Sequence, residues 1–144
     1  MTTHIASLTI PSPSTSAARR WTARIVTAIP VAFLAFDAIV KLLHPAFVGE
    51  ASAKMGLPAT ASFSVGLGLV LTACLALYLV RRTAPLGAVL LTGYFGGAVL
   101  AHLRVGDPLL THVLMPVYVS AMLWMSLYLR DARVRALLTA AERV

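Results

Sequence analysis

The chain has 144 residues, of which 59% are hydrophobic, with a mean hydropathy of +0.86 and a formal net charge of +7. That balance excludes an ordinary water-soluble domain, whose exterior must be largely polar. The 12 Lys and Arg against five Asp and Glu would suit a nucleic acid if spread over a soluble face, but they border apolar stretches, so membrane topology accounts for them and no nucleic-acid partner is expected.

Residues 1–20 carry Ser7, Ser12, Ser14, Thr15 and Ser16 around Pro11 and Pro13. They show no apolar periodicity and are expected to form a disordered cytoplasmic tail. They lack the apolar core and small-residue cleavage site of a secretory signal. Four apolar stretches follow, at 21–44, 60–80, 85–103 and 112–129. Each is close to the roughly 20 residues that cross hydrocarbon as a helix, and a helix satisfies its own backbone where no water can. Arg81, Arg82, Thr83 and Ala84 alone separate the second stretch from the third, so these form a tight helical hairpin. Residues 21–138 make one membrane domain and 139–144 a short C-terminal tail. The predicted fold is all-α, a membrane-embedded antiparallel four-helix bundle.

The charges orient it. Arg19, Arg20 and Arg24 precede the first stretch, Arg81 and Arg82 lie between the second and third, and Arg130, Arg133, Arg135 and Arg143 follow the fourth, with only Asp131 and Glu142 against them. On the other side Lys41, Lys54 and Arg104 balance Asp37, Glu50 and Asp107, so the first side carries the whole excess of +7. By the positive-inside rule both termini are cytoplasmic and the protein is a multi-pass component of the inner (plasma) membrane, with the lipid bilayer as its first partner. Trp21, Tyr78, Trp124 and Tyr128 fall near the cationic side and read as an interfacial aromatic belt.

The remaining polar residues gather in the outer half. Asp37, Lys41 and His44 share one face of the first helix, together with Pro30 and Phe33. Charges are costly in hydrocarbon, so this face should look inward. Asp37 and Lys41 have the acid-then-base spacing of an intrahelical ion pair and neutralise one another. On the third helix Gly93, Gly97 and Ala101 form a small-xxx-small stripe whose default role is helix packing, with Gly96 widening the groove. His102 is expected opposite that stripe and Arg104 in line with it. Gly106, Asp107 and Pro108 encode a turn in which Asp107 caps the fourth helix or pairs with Arg104. Pro116 lies about one turn into that fourth helix.

His44, His102 and His112 approach the outer boundary from three helices. No two share the spacing of a helical metal pair, so a metal site is not expected. Cys74 is the only cysteine, which excludes a CxxC redox pair and a disulfide framework within the chain.

The run Thr92-Gly-Tyr-Phe-Gly-Gly-Ala-Val-Leu-Ala-His-Leu-Arg-Val-Gly-Asp-Pro108, followed by His112, Met115-Pro-Val-Tyr118 and Leu127-Tyr-Leu-Arg-Asp-Ala-Arg133, resembles the DoxX-like family of small bacterial four-helix membrane proteins. Phe36-Asp-Ala-Ile-Val-Lys41 and Pro45 agree with it, and the resemblance covers about 20–138. It implies equivalent roles for Asp37, Lys41, Gly93, Gly96, Gly97, His102, Arg104, Gly106, Asp107, Pro108 and His112. It further suggests association with quinone-linked membrane oxidoreductases, although this chain lacks the paired cysteines or histidines that carry electrons.

The ligand-binding candidates are therefore Asp37, Lys41, His44, His102, Arg104, Asp107 and His112. The leading expectation is an accessory or ligand-binding membrane subunit in which Arg104, Lys41 and the histidines donate to carbonyl oxygens of a small amphipathic molecule, such as a quinone headgroup, while Asp37 or Asp107 holds the donors. No residue set spells out a reaction, so the sequence leans away from an enzyme. The alternatives are an intramembrane enzyme acting on a lipid-like substrate, with Asp37 or a histidine as acid or base, and a scaffold that self-associates through the glycine stripe. A homo-oligomer or an oxidoreductase partner fits either binding role. A proton path ranks last, because the inner halves of the spans are almost free of ionisable groups.

Overall fold

A computed structural model describes residues 17–140. Those residues form six α-helices: α1 (Ala17–Leu43), α2 (Ala46–Lys54), α3 (Ala61–Leu79), α4 (Ala84–Arg104), α5 (Met115–Arg130) and α6 (Ala132–Ala140). A π-helical turn, Leu109–Val113, precedes α5. The expected tail lies outside the described residues up to position 16, as does the C-terminal tail from 141. Positions 17–20 are helical instead, because Ala-Ala-Arg-Arg has high helix propensity and simply extends α1.

Four segments are long and apolar enough to cross a membrane: Trp21–Leu43, Ala61–Leu79, Ala84–Arg104 and Leu109–Arg130. Only 17–33% of the apolar window in each span is buried inside the protein. Leu43, Phe36, Leu69, Leu100 and Leu110 are among many large apolar side chains left outside. Water would penalise that surface and lipid does not. The protein is a multi-pass membrane protein.

The spans touch in a closed cycle of neighbours, α1 with α3, α3 with α4, α4 with α5 and α5 with α1. Their shared interior holds Leu34, Leu71, Leu75, Leu91, Leu123 and Leu127. Lipid tails are as apolar as leucine, so close fit rather than water exclusion must hold the spans together. Two glycines supply that fit. A Cβ at Gly87 would fall 2.6 Å from the Cα of Tyr78, and one at Gly68 would meet Leu42 Cγ and Lys41 Cβ at 3.1 Å. The stripe from Gly93 to Gly97 makes no such approach: no heavy atom outside its own helix lies within 4 Å of the Cβ positions of Gly93, Gly96 or Gly97. The close contact expected of it is not made within the described chain.

Tyr78 corrects a second expectation. It is fully buried rather than part of an interfacial belt, and its hydroxyl donates to the Leu123 carbonyl at 2.9 Å. Gly87 lets α4 approach closely enough to cover it. Arg130 stacks its guanidinium 4.5 Å from the Tyr78 ring centre and donates to the Tyr78 carbonyl. Nearby, the carboxylate of Asp131 accepts from the backbone N–H of Arg133 at 2.9 Å, capping α6. It also pairs with the Arg133 guanidinium at 2.8 Å, and that hydrogen bond holds the Asp131 carboxyl down to about 2.

Candidate functional site

At the end of the helix cycle remote from these arginines lies a partly open cavity of about 710 Å³, lined by α1, α3, α4, α5, the π-helical turn and, across one side, α2. The helix α2 lies between the first two apolar stretches, where no element is predicted. Its Phe47, Ala51 and Met55 recur at helical spacing and line the cavity, as do Val48 and Ser52 beside them. Two tight turns bracket it. His44 adopts φ 45°, left-handed for a non-glycine residue, and Gly56 has φ +67°. Arg104 fastens the far end, donating to the carbonyls of Met55 at 3.2 Å and Gly56 at 2.8 Å. Its guanidinium occupies the space a side chain at position 56 would need. Arg104 thus serves as a strap and does not line the cavity. His44 stays outside it as well, with its ring against Gly49.

Four of the expected residues do meet in the cavity: Asp37, Lys41, His102 and His112. Asp37 and Lys41 form the intrahelical ion pair read from their spacing. α3 pins the pair from behind, since Ser64 donates to the Lys41 carbonyl at 3.0 Å and Gly68 lets the backbones close.

His102 and Asp107 are joined by the way α4 ends. Gly106 takes φ +72°, its N–H returns to the Leu103 carbonyl at 3.2 Å, and the N–H of Asp107 returns to the His102 carbonyl at 3.1 Å. That pattern is a Schellman C-cap, and only glycine enters its left-handed position at little cost. The reversal lays Asp107 beside the last turn, with Oδ2 2.6 Å from His102 Nδ1. Asp107 therefore neither caps the next helix nor pairs with Arg104, as the sequence suggested. His102 opens onto the same cavity as Gly93, Gly97 and Ala101 because the cavity spans a wide arc of α4.

The π-helical turn brings in His112. The N–H of Val113 reaches back five residues to Pro108 and that of Leu114 to Leu109, the wide spacing that re-aims side chains and frequently marks functional positions. The His112 ring lies 6.0 Å from that of His102, and its Nδ1 is 2.8 Å from Thr111 Oγ1. Because this turn ends at Leu114, Pro116 falls in the first turn of a new helix rather than one turn inside an old one.

Tyr94, Thr111 and Ser52 also line the cavity and were not singled out in the sequence. Tyr94 stands within the glycine-rich run of α4, where an aromatic residue flanked by Gly93 and Gly97 is a legible sign of an open face. Among the described residues no three His, Cys, Asp or Glu side chains cluster closely enough to hold a metal ion. Chemically, the cavity is an apolar, glycine-walled chamber with an ion pair on α1 and a carboxylate-buttressed imidazole on α4.

The DoxX-like family model matches residues 25–126 of the chain. No curated protein and no solved structure matches it.

Proposed function

We propose, from the premise that the chain belongs to the DoxX-like family, that it is an accessory membrane subunit whose cavity holds one small amphipathic molecule with a polar ring, a quinone or hydroquinone headgroup. The observation that carries this reading is the empty space at Gly93 and Gly97. Glycines of a membrane helix ordinarily serve close packing, yet these face a chamber of about 710 Å³ with no atom within 4 Å of their Cβ positions. A flat ring fits against such a wall, and Lys41, His102, His112 and Tyr94 supply the few convergent polar groups typical of a ligand pocket. The fold that goes with this reading is an antiparallel bundle with both termini cytoplasmic in the bacterial inner membrane, so the cavity lies in the outer half. The protein works with an oxidoreductase partner or as a homo-oligomer.

Native mass spectrometry of gently extracted protein tests the reading. Wild type should carry a co-purifying small molecule, and Gly97→Leu, which projects a bulky side chain into the chamber from a position where a Cβ meets no atom within 4 Å, should be bare while folded. Bare protein in both samples would remove the ligand role and favour the self-associating scaffold.

A second reading has one observation in its favour. Asp107 orients His102 as carboxylates orient catalytic histidines, which suits an enzyme using His102 as a general base on a lipid-like substrate. Conversion of a membrane lipid that depends on His102 would establish it.

A further inference from the structure

The donor and acceptor pattern of His102 narrows the ligand further. Its Nδ1 lies 2.6 Å from Asp107 Oδ2. An ionised carboxylate only accepts, so the proton in that bond sits on the imidazole nitrogen. A neutral imidazole has one ring proton, and with that proton on Nδ1 the Nε2 lone pair is left as an acceptor. The Schellman turn fixes this arrangement. Asp107 is held to His102 by its own backbone N–H as well as by its side chain, so a ring flip would break the carboxylate bond. His102 lines the cavity and Asp107 does not.

We propose that the cavity selects the hydroxyl form of a ring-headed ligand, a hydroquinone or phenol, over the carbonyl form, with His102 Nε2 accepting the ring hydroxyl. This deepens the reading of the chamber as a ligand site and rests on it. A ring carbonyl at the same position would set acceptor against acceptor beside mostly apolar walls, the kind of mismatch that hydrogen-bonding sites reject most strongly. The other groups do not restore the balance at this position. Lys41 spends one of its three ammonium protons on Asp37, and the Tyr94 hydroxyl and the His112 ring, which meets a threonine hydroxyl, can each give or take, so these groups serve other positions of the ligand and leave the Nε2 of His102 an acceptor.

The test compares a short-chain benzoquinone with its hydroquinone, binding to purified protein in micelles under argon at about pH 8, where an imidazole is neutral. An alkylphenol and its methyl ether serve as a redox-inert second pair. Wild type should bind the hydroxyl partner of each pair about tenfold more tightly. Asp107→Asn can donate an amide N–H to Nδ1 and so move the ring proton to Nε2. In that variant the preference should vanish or reverse while the Asp107 backbone contact to His102 persists. Equal affinities in wild type, or tighter quinone binding, would leave the ligand site standing and overturn the acceptor role. Binding of no probe would overturn both. As a check independent of any variant, ¹⁵N shifts of the His102 ring report which nitrogen carries the proton, and a proton on Nε2 in wild type would also overturn the proposal.

Discussion

At the arginine-rich end, Arg130, Arg133 and Arg135 donate to the carbonyls of Tyr78, Arg81, Tyr128 and Leu129, and Tyr78 donates to Leu123. At the cavity end, Lys41 turns to Asp37, His102 to Asp107 and His112 to Thr111. Side chains spent on backbone carbonyls tie segments together. Side chains paired with one another keep a second face, and the cavity collects those faces. The glycines divide in the same way. Gly87 is the point where α4 touches Tyr78, whereas Gly93 and Gly97, two and three turns further along the same helix, touch nothing. Small residues in a membrane helix mark either contact or open space, and their neighbours decide which.

The strongest way to break this division is to add side chains on both sides of it. Gly87→Val forces a branched side chain into the Tyr78 backbone and should cost about 3 kcal/mol or more, visible as loss of the monodisperse folded species in micelles. Gly97→Leu should leave the unfolding midpoint unchanged or slightly raised, because the helix gains propensity without a clash, while ligand binding disappears. If both variants unfolded alike, the two classes of glycine would not differ.

Tyr78→Phe sharpens the structural side. It removes one buried hydrogen bond and should cost about 1 kcal/mol without touching ligand affinity, readable from denaturant unfolding. Arg104→Ala probes the boundary between the two regions. Global stability should stay within about 0.5 kcal/mol, yet amides of α2 should exchange with solvent faster than those of α3. An unchanged exchange pattern would show that the strap does not hold α2.

Asp131 gives the structural side a test by pH. Its carboxyl titrates at about 2 against an ordinary 3.8 because Arg133 holds the charged form. Lowered in the folded state, it contributes stability above its ordinary value and loses it as pH falls through that value towards about 2. Unfolding followed between pH 5 and 2 should show this loss in wild type, and Asp131→Asn should flatten it.

The sequence foretold some of this more readily than the rest, for physical reasons. Length and hydropathy placed all four spans to within three residues at each end, because hydrocarbon thickness sets a span's length whatever its neighbours do. The Asp37–Lys41 pair was legible because both partners sit on one helix. The α2 helix was not, since nine residues with a glycine in the middle give too short a period to stand out. Its Phe47, Ala51 and Met55 are the signal that was there. Asp107 was assigned to the wrong partners because the turn reverses the chain at Gly106, and a glycine placed four residues after His102 could have announced it. The burial of Tyr78 depends on α4 and α5, so nothing within α3 could foretell it.

The Schellman turn has a consequence for how this chamber behaves when the spans shift. Gly106 binds His102 and Asp107 into a single rigid unit within six residues of chain, so sliding α4 against α3 or α5 would move the imidazole without changing which nitrogen it presents. Under the proposed reading, a shift of the spans would change the size of the chamber and leave its preference for a ring hydroxyl unchanged. In that reading capacity is written across four helices and discrimination in one corner of one of them.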